Sequence, residues 1–280
     1  MFKINSYQMK KPTELKITTS MIIFTVAIIA KFVLYGLVTV ILNKFHHIVS
    51  SEAVFNFYLA SCLIVDSLII VFVLPWFNVG VLEQFRKVQF NLLLMIVVMA
   101  VFVFILVLPI VDPVDFVKKL THYQLTINQF NFSLSSLVKF DKIIYLFLTV
   151  IITPVVEEII CRGFLFNLLL KKYSVKFALI VSSLIFAFFH FRFAGIGFLF
   201  VYGLFFGYVY YKTNSLIAPI LAHFTINFLA SFSVSSFVDL NSESIVKYLL
   251  IYVTGLFLAF VIFSGIHNQF SKYNKGDSFG

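Results

Sequence analysis

The chain has 280 residues, of which 61% are hydrophobic and only 12% charged, with a net charge of +9 and a mean hydropathy of +1.03. A soluble domain carries about 25% charged residues, and no core of this size hides 38 Phe. A soluble enzyme, a disordered chain and a secreted disulfide scaffold are therefore excluded, and a polytopic membrane protein is expected.

A spanning helix needs about 20 mostly apolar residues. Such runs fall at residues 21–42, 57–77, 90–111, 143–170, 177–191, 195–211, 215–234 and 244–265. The expected fold is an all-α, polytopic transmembrane bundle of about eight helices. The fourth run is over-long and holds polar residues. The fifth and sixth are short enough to form a hairpin that stops inside the membrane. The first follows twenty polar, Lys-bearing residues and lacks a small-residue cleavage site, so it is expected to remain as an uncleaved helix.

Lys and Arg set the orientation. With the N-terminus cytoplasmic, twelve basic residues (among them Lys3, Arg86, Lys87, Lys171, Lys212 and Lys272) lie inside and seven (Lys44, Lys118, Lys119, Lys139, Lys142, Arg192 and Lys247) lie outside. Both termini are expected in the cytoplasm of a multi-pass cell-membrane protein. Four regions follow: a segment 1–20, three helices and an outer loop at 21–142, a polar-bearing core at 143–234, and a last helix and tail at 235–280. The basic residues form no stripe and no stacking platform, so nucleic acid is not a partner. Cys62 and Cys161 sit in apolar runs and read as small hydrophobes.

A charge at membrane depth costs roughly 2.5–3.5 kcal/mol on insertion scales, so the charges that occur there are the place to look for function. Lys31 and Asp66 stand on separate helices, as an interhelical pair or as separate snorkelling groups, with a proton relay as the alternative. The fourth run carries Glu157, Glu158 and Arg162 in its middle. Helical spacing stacks Glu158 and Arg162 at i,i+4, where a bidentate pair can form, and turns Glu157 roughly 100° away toward a different cavity. Glu157 is then a candidate general base. His190 on the fifth run, and His223 and Asn227 at i,i+4 on the seventh, add polar groups suited to handling water or an oxyanion.

Glu157-Glu158-Ile-Ile-Cys-Arg162 fits EExxxR, Phe186-Ala-Phe-Phe-His190 fits FxxxH, and His223-Phe-Thr-Ile-Asn227 fits HxxxN. Their order and spacing, together with Gly203 to His223, resemble the CPBP family of CAAX proteases and bacteriocin-processing proteins, which includes the Rce1-type endopeptidases. The resemblance covers about residues 143–229. It implies an intramembrane glutamate protease in which Glu157 activates water, His190 orients it, His223 and Asn227 hold the oxyanion, and Glu158 and Arg162 shape the site. It also implies a membrane-associated peptide or protein substrate, with the lipid bilayer as the other partner.

No cofactor is expected. The alternative is a zinc ion held by Glu157, His190 and His223, a set that resembles His₂Glu sites, although no HExxH occurs. No serine nucleophile motif lies in a span, and Asp66 is the one Asp within the spans, so serine and aspartyl mechanisms are excluded. A transporter is disfavoured because no inverted repeat is visible. The non-enzymatic alternative is a bacteriocin self-immunity or scaffold protein. Lys outnumbers Arg 18 to 3, a usage that fits an AT-rich bacterial genome and favours a peptide precursor (bacteriocin or pheromone) over a CAAX protein as substrate.

Overall fold

The computed structural model describes residues 14–45, 51–74, 80–111, 139–190 and 196–231. The expected helix at 244–265, the tail, residues 1–13 and most of the outer loop (112–138) lie outside the described residues. Those described are helical or in turns, without a strand. The helices are α1 (Glu14–Phe45), α2 (Ser51–Leu68, continued as a π-helical turn Ile69–Val73), α3 (Phe90–Val111), α4 (residues 139–170), α5 (Val175–Phe189), α6 (Ile196–Thr213) and α7 (Ile217–Ser231). A 3₁₀ turn, Leu82–Gln84, precedes α3.

Seven of the eight expected runs thus coincide with helices. Two of them are long and apolar enough to cross a membrane, at Phe90–Val107 and Ile143–Leu170. Shorter apolar helices stand beside them: α5 and α7 have 15 residues each, roughly 22 Å of helix against a hydrocarbon core of about 30 Å. Their starts are fixed chemically. Ser174 caps α5 by accepting from the Phe177 N–H. Between α6 and α7, Asn214 takes a left-handed φ of 49°, a conformation Asn tolerates.

The α7 residues Ala218 and Ala222 are fully buried, and α7 packs on α3 and α6. Side chains this small bring backbones close, which is how helices associate in lipid. On the outside, Val26, Ile29, Val33, Leu37 and Val40 of α1 are all more than half exposed. An apolar surface of that extent is stable in a bilayer and is a liability in water. The protein is accordingly a membrane protein.

α4 is not a uniform α-helix. It passes through π-helical stretches at Phe147–Ile152 and Ile159–Phe166. Pro154 stands just after the first. Proline removes a donor and crowds the preceding turn, and the carbonyl it leaves without a π-spaced N–H is that of Thr149. Asn227 of α7 fills it, donating to Thr149 O at 2.9 Å. The second stretch begins immediately after Glu158, and all eight of its residues are buried. There the carbonyl of Gly163 is served by two side-chain amides, Asn167 Nδ2 at 3.0 Å and Gln84 Nε2 at 3.2 Å.

Candidate active site

Glu158 and Arg162 are both fully buried. They pair as their spacing predicts, but through one contact, Arg162 Nη1 to Glu158 Oε1 at 2.8 Å. The expected bidentate fork does not form. The second guanidinium arm donates to the Gly203 carbonyl at 2.8 Å. That arm reaches α6 because Gly203 lets α6 approach α5 closely: a Cβ there would stand 2.9 Å from Ser183 Cβ and 3.0 Å from its Cα. The guanidinium also lies against the rings of Phe186, 4.7 Å from the centroid, and Phe206, at 5.4 Å. These flat contacts suit Arg and not Lys.

Glu158 Oε1 takes a second donor. His223 Nδ1 lies 3.0 Å from it, with the imidazole stacked on Phe206 at 4.6 Å between centroids. His190, at the C-terminal cap of α5, holds its Nδ1 2.9 Å from the Phe186 carbonyl. A carbonyl oxygen only accepts, so His190 Nδ1 carries a proton. An Arg-paired carboxylate likewise accepts, so His223 Nδ1 does too. Both rings therefore turn Nε2 outward, and both point at Glu157 Oε2: His190 at 3.5 Å and His223 at 4.0 Å. Glu157 Oε2 is itself buried without a hydrogen-bond partner.

The structure thus brings Glu157, Glu158, Arg162, His190 and His223 into one cluster drawn from α4, α5 and α7. Asn227 stands a turn from His223, with its amide on Thr149. Glu157 borders a small cavity together with Asp66, Ile160, Cys161, Phe186 and Phe189. Lys31 and Asp66 do form an interhelical pair, at 2.7 Å. Among the described residues no group of three His, Cys, Asp or Glu is arranged to hold a metal ion. The set closest to one is Glu157 with the two Nε2 atoms.

Three residues that sequence reasoning missed support the cluster from the other end of α4. Tyr210 donates to Gln84 Oε1 at 2.8 Å, and Asn167 Nδ2 contacts Tyr210 Oη at 2.6 Å and Gln84 Oε1 at 3.2 Å. With Gln84 on Gly163, this network holds the π-helical stretch next to Glu158. Asn167 had a visible signal, a polar residue one turn after Gly163 in an apolar run. Gln84 had none, since it lies in a connection where polar residues are ordinary.

Neither a curated protein nor a solved structure matches the chain. Residues 139–229 match the family described as Rce1-like, "Type II CAAX prenyl endopeptidase Rce1-like". That interval contains every member of the cluster, and the family is one of membrane-embedded proteases. The match covers residues 139–229 of the 280, and over that interval the chain is similar to the Rce1-like family of type II CAAX prenyl endopeptidases.

Proposed function

We propose that the protein is an intramembrane endopeptidase that hydrolyses a membrane-associated peptide with Glu157 as general base. The observation that carries this reading is the convergence of three acceptors, two imidazole Nε2 atoms and Glu157 Oε2, on one point. Such a trio repels unless something with protons to donate joins it. A water molecule has two, and it can give them to Glu157 and to an imidazole.

The steps then follow. Glu157 accepts a proton as the water oxygen bonds to the scissile carbonyl carbon, with His190 orienting that water. The carbonyl oxygen becomes an oxyanion, for which Asn227 and, once its Nε2 also carries a proton, His223, a turn apart on α7, are the donors. Glu157 passes its proton to the peptide nitrogen as the C–N bond breaks. Glu158 is spent on Arg162 and His223, so it positions His223 and does not compete as base. α5 ends at His190 after 15 residues, which supports a site inside the hydrocarbon layer, where fixed dipoles act without screening.

The substrate is either a prenylated CAAX-type C terminus or a short bacterial peptide precursor. Cleavage of a farnesylated CAAX peptide and of a precursor peptide in reconstituted membranes separates the two. Glu157→Gln and His190→Ala are each expected to lower the rate by roughly 10²–10⁴-fold, without sensitivity to chelators in the wild type. Undiminished cleavage by Glu157→Gln overturns the base assignment. Chelator-sensitive cleavage replaces it with a metal bound at Glu157, His190 and His223. A phenotype that survives both substitutions, with no peptide cut, replaces it with a scaffold.

A further inference from the structure

The family match begins at residue 139, yet two helices that precede it bring buried charges to the cluster. Asp66 of α2 is 2% exposed and Lys31 of α1 is 3% exposed. Lys31 Nζ donates to Asp66 Oδ2 at 2.7 Å and lies 2.7 Å from Oδ1. Asp66 and Glu157 border the same small cavity. The Lys31 ammonium also lies 4.5 Å from the centroid of Phe189, the residue before His190.

Packing alone does not call for this pair. A buried ion pair replaced by apolar groups of similar volume is often neutral or stabilising. Its consequence lies in the distribution of charge. Together, the cluster and this neighbouring pair hold three carboxylates, Asp66, Glu157 and Glu158, and two cations, Lys31 and Arg162. Arg162 belongs to Glu158, Lys31 belongs to Asp66, and among the described residues the ion-pair contacts of Glu157 are with the two histidines. A long, flexible ammonium that lost Asp66 would find Glu157 across the same cavity. A carboxylate paired with that ammonium is a weak base and is turned away from its water.

We infer that Asp66 is a positioning residue for the hydrolytic site, one that holds the Lys31 ammonium off Glu157. The inference rests on the reading of Glu157 as base. Asp66→Asn is expected to lower kcat by about tenfold or more, with KM little changed, because an opposite charge next to a carboxylate alters its proton affinity by at least that factor. Lys31→Met with Asp66→Asn, which removes both charges together, is expected to return to within roughly threefold of wild type.

The assay is cleavage of the farnesylated CAAX peptide per folded molecule in reconstituted membranes, with Glu157→Gln alongside. A second readout needs no substrate: labelling of Glu157 by dicyclohexylcarbodiimide, read by mass spectrometry. An ammonium-paired carboxylate resists that reagent, so labelling should fall in Asp66→Asn and recover in the double variant. Equal rates and equal labelling in wild type and Asp66→Asn overturn the inference, and so does a double variant no better than Asp66→Asn. If Glu157→Gln is inactive while Asp66→Asn matches wild type, this inference alone fails. If Glu157→Gln cleaves, the base reading fails and takes this inference with it.

Discussion

At the scale of single residues, two adjacent glutamates have been given opposite environments by one step along a helix. Glu158 accepts through Oε1 from both Arg162 and His223 and is sealed from solvent, whereas Glu157 turns Oε2 toward two imidazoles and borders a cavity. The first arrangement serves structure and the second is fit for chemistry. Glu158→Gln removes the charge that Arg162 was buried against, and breaking a buried pair from one side costs about 3–5 kcal/mol. Thermal unfolding in detergent should register that loss. Glu158→Met combined with Arg162→Met should recover most of the stability, since no lone charge remains, while cleavage stays abolished because His223 has lost its anchor. A double variant as unstable as the single would mean that the pair itself, and not the orphaned cation, carries the stability. These residues were legible in the sequence because charge is so expensive in lipid that any survivor advertises a role. The direction of each arm was not legible. Nothing in the spacing of Glu158 and Arg162 says that half the guanidinium goes to the Gly203 carbonyl, because that depends on how closely α5 and α6 approach.

At the scale of elements, the positions of the helices could be read from apolar runs, and their internal geometry could not. The π-helical stretches of α4 are each eight residues or fewer, too short to disturb a hydrophobic period, yet they decide which carbonyls need outside donors. Asn227 on Thr149 and Gln84 on Gly163 are answers to that need. Gln84→Leu should therefore destabilise by about 1–3 kcal/mol, the penalty of leaving buried polar partners unsatisfied, seen as a lower unfolding temperature. Unchanged stability would mean that Asn167 alone suffices for Gly163. The contact between α5 and α6 is more demanding. At Gly203 a methyl group would press on the Cβ and Cα of Ser183, and a backbone cannot swing aside as a side-chain tip can. Gly203→Ala is expected to cost about 1–3 kcal/mol by overpacking and to depress cleavage as well, since the same residue's carbonyl holds Arg162. At Gly207 the added carbon would meet only Leu179 Cδ2, the movable end of a side chain. Gly207→Ala should therefore cost less than Gly203→Ala, and the reverse order would refute this account of the interface.

At the scale of the whole molecule, the ends of the bundle bear on the orientation expected from charge. The connection 80–89, the C-terminal part of α4 and the turn between α6 and α7 meet at one end. Leu216 N–H donates to Gln84 O at 2.8 Å, Ser215 Oγ donates to Arg86 O at 2.6 Å, and Gln84 reaches Gly163. Three segments far apart in sequence are thus tied on one side, and they or their immediate neighbours carry Arg86, Lys87, Lys171, Lys172, Lys176 and Lys212. Lys44 closes the opposite end of α1. Counting basic residues treats each connection as independent, whereas these hydrogen bonds require 80–89 and 213–216 to share a side whichever way the bundle inserts. Under the rule that Lys and Arg stay in the cytoplasm, all six charges are then expected on the cytoplasmic side together. The expected outcome is specific. In sealed right-side-out vesicles, a thiol placed by Lys87→Cys or Lys212→Cys should resist a membrane-impermeant maleimide until the vesicles are opened. One placed by Lys44→Cys should react at once. Cys161 is buried and should stay silent in both preparations. Reaction of Lys87→Cys and Lys212→Cys from opposite sides would contradict the hydrogen bonds that join their segments. Reaction of both from outside would invert the bundle while leaving its packing intact, and would move the Glu157 cluster's nearer surface, and with it the side from which a peptide is supplied, to the other face of the membrane.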